Sequence, residues 1–427
     1  MKAIITFEHS YLTAADFDDG QDFDWLIEQN FDVFRIERKQ QQWQLKVRHY
    51  IGVIGLPSGG QVEILPKLAQ AHITHADEVT QTRQWVQQML TAVWQALLPK
   101  SLANLANQLL INPLAPNPPP ISHSLSLSEW LQAYFWQGFA QYVPNQQYQQ
   151  FEQNQPYLQG KLLVKEQLQH NFHQPHKFYH QTENFVMDTA GNRLVKTTIE
   201  RVIGSMAFPL PPQWQAVGTV AKDLYDILFS QALQELTALP SLLAQRNYTF
   251  ISFCYALLTL QQASNQGQFL TPTWLVNMPF AFEKWVGRKI QQQFAAQNFE
   301  LVEQKRQPLT VQQGLTIKPD IWLKSPDKLI IADVKWKKTA SSNDISLADM
   351  YQLLTYASEF DADEAWLIVP TLSTQLKAQQ IEFCQPKKTR FYLMPFAVTQ
   401  GCLNPFSLKL FKKSADLFYF INEKGEN

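Results

Sequence analysis

Cysteine is scarce in this chain. Its 427 residues include three, Cys254, Cys384 and Cys402, far apart and without CxxC spacing, which excludes a disulfide framework and a thiolate zinc site. A reducing cytoplasm is the simplest home for such a protein. Long hydrophobic runs are also missing: the longest, ISFCYALLTL, is too short to span a bilayer, and the start MKAIITFEHS carries no signal-peptide hydrophobic region. The expectation is a soluble, cytoplasmic protein with no membrane partner. Neither sign of charge is in excess, since 36 Lys and Arg oppose 37 Asp and Glu for a formal net charge of −1, and this weighs against a surface that binds nucleic acid everywhere. No GxxxxGK(S/T) phosphate loop is present, so the chain is not expected to bind or hydrolyse a nucleotide itself. The nine histidines form no HExxH pattern, and in the one close group, His170, His173, His176 and His180, Pro175 interrupts any single helix face.

What is present is enough apolar residue, 45%, to bury sizeable cores, and the length suits two or three domains. Residues 1 to about 75 read as β-rich, with FDVFRIERK, WQLKVRHYIGVIGL and QVEILPKL as strands and Gly59-Gly60 as a hairpin turn. DEVTQTRQWVQQMLTAVWQALL has helical spacing, and Ser126-Leu127-Ser128-Glu129 is a capping box opening a second helix. INPLAPNPPPIS between them reads as an extended connector, because proline fixes φ and lacks a donor. The Gln-rich NQQYQQFEQNQ reads as a surface loop or polar helix, and 160–265 as mostly helical with a break at FPLPPQW. The expected layout is α+β and multidomain. It comprises a β-rich N-terminal domain with appended helices over 1–150, a helical linking region over 151–268, and an α/β/α domain over 269–427.

Chemistry concentrates in two stretches of that last domain. GLTIKPDIWLK and KLIIADVKWKK are rich in β-branched and aromatic residues, and Ser325-Pro326-Asp327 between them is turn chemistry, so the pair predicts a hairpin. Side chains two apart on a strand share a face, which groups Asp333 with Lys335 and turns Val334 into apolar packing. Asp320 can approach from the neighbouring strand. Two adjacent carboxylates repel unless a divalent cation lies between them, and a hard cation such as Mg²⁺ suits oxygen ligands. Held beside a phosphodiester, such an ion stabilises developing charge and activates water. Lys335 would orient or deprotonate that water, or neutralise the phosphorane. A surface ribbon carrying a solvated Asp–Lys pair would show the same residues. Upstream, MPFAFEKWVGRKIQQQF is a predicted helix that can supply Glu283; downstream, SLADMYQLLTYASEF is another, with Gln352 and Tyr356 at i and i+4 on one face. ADEAWLIVP and RFYLMPFAV read as two further buried strands.

The order Glu, P-D, D-x-K, Q-x-x-x-Y resembles the PD-(D/E)xK nucleases, in the variant with a trailing Q-x-x-x-Y helix seen in RecB-like enzymes. Within that superfamily the chain is most similar to the McrC family, the nuclease subunit of the McrBC modification-dependent restriction system. HYIGVIGLPSGGQVEILPKL, YLQGKLLVKEQLQHN and KFYHQTENFVMDTAGNRLVKTTI carry that resemblance, which spans about residues 45 to 360. It implies that Asp320, Asp333 and Glu283 hold the metal, that Lys335 completes the catalytic set, and that Gln352 and Tyr356 belong to the site. It also implies a ring-forming AAA+ GTPase partner of the McrB type, which binds the GTP, and double-stranded DNA carrying 5-methylcytosine as substrate. The β-rich part would dock on that partner and stimulate its GTPase; Arg35, Arg38, Arg48, Lys67, Trp43 and Tyr50 suit an interface and equally an ordinary strand surface. Basic groups at Lys335, Lys337 and Lys338, at Lys387, Lys388 and Arg390, and at Lys412 and Lys413 can touch phosphates or simply be solvated. Two other functions share these residues: a non-catalytic activator of the motor GTPase, and a stand-alone RecB-like repair nuclease.

Overall fold

The computed structural model describes residues 3–68, 75–111, 125–203, 210–260, 273–294, 299–309, 314–339, 341–384 and 387–404. The N-terminal part contains β1 (Ala3–Phe7), β2 (Tyr11–Leu12), α1 (Gly20–Gln29), β3 (Phe34–Lys39), β4 (Gln42–Val47), β5 (Tyr50–Gly55) and β6 (Gln61–Leu65). β3 to β6 fall within the predicted runs, WQLKVRHYIGVIGL dividing into β4 and β5, whereas β1 and β2 lie outside any predicted run. The helix α1 is additional, opened by Asp19, whose side chain accepts from the Gln21 amide at 2.9 Å. Phe23 and Leu26 of α1 pack with Leu45, Ile54 and Ile64 into a core of their own. β2, β4 and β3 form one small sheet, and β1, β6 and β5 belong to another. Gly59, at φ 87°, makes the β5–β6 turn.

The middle holds α2 (His75–Val93), α3 (Lys100–Gln108), α4 (Leu127–Gln141), β7 (Gln147–Gln155), β8 (Lys161–Leu162), α5 (Val164–Asn171), β9 (Phe178–Val186), α6 (Ala190–Thr198), α7 (Tyr225–Leu236) and α8 (Ser241–Leu260). Ser126 caps α4 in the predicted box, with Glu129 accepting from the Ser126 amide at 2.8 Å. The connector INPLAPNPPPIS lies almost entirely outside the described residues. Two readings are corrected here. The Gln-rich tract is neither loop nor helix but the strand β7, paired antiparallel with β9 along its whole length, and β8 completes a three-stranded ribbon inside the region read as mostly helical. Side-chain amides do the joining that apolar residues do elsewhere: Gln150 donates to Glu183 at 2.8 Å, and Gln181 donates to Gln150 at 2.9 Å.

The C-terminal part comprises β10 (Trp274–Asn277), α9 (Met278–Phe294), β11 (Glu300–Glu303), β12 (Gln307–Pro308), β13 (Thr316–Ile317), β14 (Ile321–Lys324), β15 (Leu329–Val334), α10 (Leu347–Glu359), β16 (Glu364–Thr371), β17 (Gln379–Ile381), β18 (Arg390–Ala397) and β19 (Cys402–Leu403). Seven of these strands make one mixed sheet in the order β11-β14-β15-β16-β18-β17, with β19 on β18. The predicted hairpin is β14–β15, closed by the Ser325 amide donating to the Lys328 carbonyl at 2.8 Å. β15, β16 and β18 run parallel and read as continuous apolar runs because both sheet faces are covered. On one face Phe282 and Trp285 of α9 meet Phe396; on the other, Leu353 and Ala357 of α10 pack with Leu367 and Leu393. Among the described residues no helix is long and apolar enough to cross a membrane.

β10 pairs not with this sheet but with β5 of the N-terminal part, giving the order β1-β6-β5-β10. Gly52 permits it: at φ 140° its missing Cβ would collide with the Trp274 carbonyl oxygen. The largest core therefore runs continuously from α2 to the α9 face of the seven-stranded sheet, with Trp85 stacked 6.3 Å from Trp285 and tilted against Trp336 at 6.0 Å.

Candidate active site

The hairpin register sets the site. Ile321 lies opposite Ala332, so the next pair outward is Asp320 and Asp333, two carboxylates on one face at the end of the β14–β15 ladder. Asp320 Oδ2 accepts the Val334 amide at 2.7 Å, which fixes its orientation. Asp333 is 1% exposed, and Lys335, on the same face two residues on, brings Nζ to 2.8 Å from Asp333 Oδ2. Val334 turns into the core on the α9 face, as strand alternation predicts.

Glu283 comes from the second turn of α9 and accepts from Gln304 Nε2 at 2.7 Å, with Lys284 Nζ 3.4 Å away. Lys284 is buried and also pairs with Glu303, which finds room because Gly287 has no side chain: a Cβ there would come within 2.8 Å of Glu303 Oε1. Gln352 and Tyr356 meet as their i, i+4 spacing requires, Gln352 Nε2 donating to the Tyr356 hydroxyl at 2.8 Å. Tyr356 lies on the α10 face, near enough to Asp333 and Asp320 that, after burial, their charges raise its pKa. The six residues singled out in the sequence thus converge at one end of the sheet. The ligating atoms of Glu283, Asp320 and Asp333 do not all approach within 4.8 Å of one another, and Glu283 reaches Asp320 through its field rather than through contact.

The electrostatics follow from burial. Removal from water, then the charges of Asp333 and Glu283, push the Asp320 carboxyl up to about 7. Asp333 is raised for the same first reason, burial, against the pull of Lys335. Burial by itself would lower Lys335, but Asp333, Asp320 and Asp349 outweigh it and hold the ammonium above its ordinary value. With its carboxyls ionised the cluster carries more negative charge than its own lysine neutralises. That is the condition under which a divalent cation binds, and its hard oxygen donors match Mg²⁺ better than a softer metal.

One participant was missed by the sequence reading. Asp349 accepts from Ser346 Oγ at 2.6 Å and from Lys337 Nζ at 2.7 Å, and its charge acts on both Lys335 and Asp333. The signal was legible as Ser346-x-x-Asp349, a capping pattern at the start of α10. The basic groups are largely committed: Lys337 to Asp349, Lys388 to Asp361 at 2.6 Å, and Arg390 to the buried Glu364 at 2.9 Å. Lys412 and Lys413 lie outside the described residues. The histidine group does not gather into a site; His180 is buried with Nδ1 3.0 Å from the Phe178 carbonyl.

Comparison with known proteins gives three results. Residues 45–370 match the family described as McrBC 5-methylcytosine restriction system component. No curated protein matches significantly. Among solved structures, the chain is similar to one in the refined half-complex from a tetradecameric assembly of Thermococcus gammatolerans McrB AAA+ hexamers with bound McrC. The identity is 15% and the TM-score 0.57, with 96% of this chain and 100% of that chain covered. It also matches a chain of the Thermococcus gammatolerans McrBC complex at 15% identity and a TM-score of 0.39, covering 70% of this chain and 88% of that one.

Proposed function

The chain belongs to the McrBC 5-methylcytosine restriction system component family, and from that premise we propose that it is the Mg²⁺-dependent DNA endonuclease subunit of such a system, of the McrC type. The observation that carries this reading is the Asp320–Asp333–Lys335 cluster on one face of the β14–β15 hairpin, with Asp320 pushed up to about 7 by burial and then by its acidic neighbours.

In this reading the sheet with α9 and α10 on its two faces is a PD-(D/E)xK core, and partner docking, linkage and cleavage fall to 1–150, 151–268 and 269–427, with β10 of the last range lent to the N-terminal sheet. Asp320 and Asp333 would hold the cation, while Glu283, restrained by Gln304 and Lys284, would add negative field beside them. A bound Mg²⁺ supplies a Lewis acid for the scissile phosphate and its attacking water. Lys335 stays protonated, since its acidic neighbours raise its pKa, and so serves as a cation facing the developing phosphorane rather than as a base. The Gln352–Tyr356 pair presents a hydroxyl to the same end of the sheet, where it can orient phosphate or water.

The substrate is DNA carrying 5-methylcytosine, and the partner is a McrB-type AAA+ GTPase that binds the GTP. Two facts support that assembly: the family membership, and a fold shared with a chain of the Thermococcus gammatolerans assembly. Cleavage of methylated and unmethylated plasmid by this chain with Mg²⁺, a McrB-type GTPase and GTP tests the reading. Cutting restricted to methylated DNA and dependent on partner and GTP is the expected result. Cutting by the chain alone would support the stand-alone nuclease, and GTPase stimulation without cutting the regulatory subunit.

A further inference from the structure

A second polar cluster lies on the opposite side of the catalytic strand end. Glu8 opens the turn after β1, His9 follows at φ 65°, and His49 sits in the turn between β4 and β5. One ligand atom from each of these three residues lies within 4.8 Å of the others, and among the described residues no other trio of His, Cys, Asp or Glu does so. Glu8 is 1% exposed; its Oε2 accepts from the Trp336 indole at 2.9 Å, and its Oε1 is buried without a hydrogen-bond partner. Burial pushes the Glu8 carboxyl up to about 7 against the pull of the Trp336 indole, and an electropositive ion reaching Oε1 would hold it in its charged form. The two exposed imidazoles stand edge to face, ring centroids 4.7 Å apart.

From this geometry we infer that Glu8, His9 and His49 form a binding site for a borderline transition-metal ion of the Zn²⁺ class. Two imidazole nitrogens and one carboxylate oxygen form a donor set that such an ion prefers and Mg²⁺ does not, and three ligands leave a position open. A tetrahedral ion with bonds of about 2.0–2.2 Å holds its ligand atoms about 3.4 Å apart, so the trio has to close by little more than 1 Å. His9 and His49 are exposed, which leaves their side chains room to rotate toward that distance. Burial and the neighbouring cations hold His9 below its ordinary pKa, favouring the neutral imidazole that ligates. Lys46 and Lys67 oppose an added cation, and Glu8, once ionised by the ion it ligates, supplies the negative charge against them.

The location gives the ion something to hold. The His49 carbonyl accepts from the Met278 amide at 3.0 Å, at the start of the helix that carries Glu283, and Glu8 anchors Trp336, the residue after Lys335. An ion here clamps two N-terminal turns onto the strand and the helix that present the candidate catalytic groups.

The test is Zn²⁺ binding to the untagged full chain by isothermal titration and by metal content after dialysis, with millimolar Mg²⁺ present to fill the Asp320–Asp333 cluster. One Zn²⁺ per chain is expected. His49→Ala, at an exposed turn, should weaken it at least tenfold, as should His9→Asn, whose replacement tolerates the positive φ. A His173→Ala, His176→Ala double variant should bind as the wild type does. Cobalt substitution should give visible d–d absorption that the His49 variant loses. Stoichiometric Zn²⁺ unchanged in both the His49 and His9 variants, or no Zn²⁺ bound by the wild type, would overturn the site.

Discussion

The seven-stranded sheet and the β7–β9–β8 ribbon are both β-structure, yet they are held together in opposite ways. The sheet buries both faces: β16 and β18 are almost wholly inaccessible, with Ile331, Trp366 and Leu393 enclosed between α9 and α10. In the ribbon, β7 alternates half-buried and exposed residues, Tyr148 and Phe185 stand 72% and 57% exposed, and amide ladders join the strands. A ribbon solvated on one side can carry polar side chains throughout; a sheet that must hold two carboxylates dry cannot. The apolar surroundings keep Asp320 and Asp333 close with both carboxyls raised by burial, and under the proposed function a cation would offset the repulsion of their ionised forms.

Sharpening the contrast starts where the sheet is most committed. Asp320→Asn, which removes one of the paired carboxylates, should lower partner-dependent cleavage by about 10²–10³-fold or more in a plasmid assay, while GTPase stimulation persists. Next in size is packing. Ile331→Ala opens a cavity between the sheet and α10 and should cost about 2–5 kcal/mol in denaturant unfolding. A value near zero would mean that this face is looser than its enclosure indicates.

A smaller effect concerns pH. Asp320 rises in the fold to about 7 from an ordinary 3.8, so between those values the folded protein binds more protons than the unfolded chain. The metal-free protein should lose stability as pH rises through that window, and Mg²⁺ should raise the melting temperature more at pH 8 than at pH 5. Asp320→Asn should reduce the loss, with a melting temperature at pH 8 higher than that of the metal-free wild type by roughly 2–4 °C, while Glu8, pushed up to about 7 by burial, and Asp333, also raised by burial, keep the remainder. The smallest change belongs to the ribbon, where Gln150→Ala should alter stability by no more than about 0.5 kcal/mol. A cost above 2 kcal/mol there would erase the distinction between the two regions.

The same contrast explains what could be read from the chain. Period-two alternation placed Asp333 and Lys335 on one face, turn chemistry closed the hairpin, and i, i+4 spacing joined Gln352 to Tyr356, because each is a local rule. β7 escaped because its face lacks apolar residues: Gln147 to Gln155 gives no hydrophobic period, and its register is held by amides that pair across 31 and 33 residues. The helix α1 escaped behind an acidic stretch whose cap, Asp19, went unnoticed. Non-local geometry was out of reach altogether. Nothing near Glu8 announces Trp336, 328 residues away, and nothing near Gly52 announces the carbonyl of Trp274. Asp349 was available through its capping pattern, but its charge coupling to Lys335 depends on how α10 packs on the sheet.

The central claim is that the Asp320–Asp333–Lys335 cluster is the cutting centre rather than a structural relic. The most direct test is Asp333→Ala in the assembled system, measuring cleavage of methylated plasmid and GTP hydrolysis in the same reaction. The account predicts that cleavage is lost while GTPase stimulation stays at the wild-type level. Cleavage that continues unchanged in the variant would contradict it.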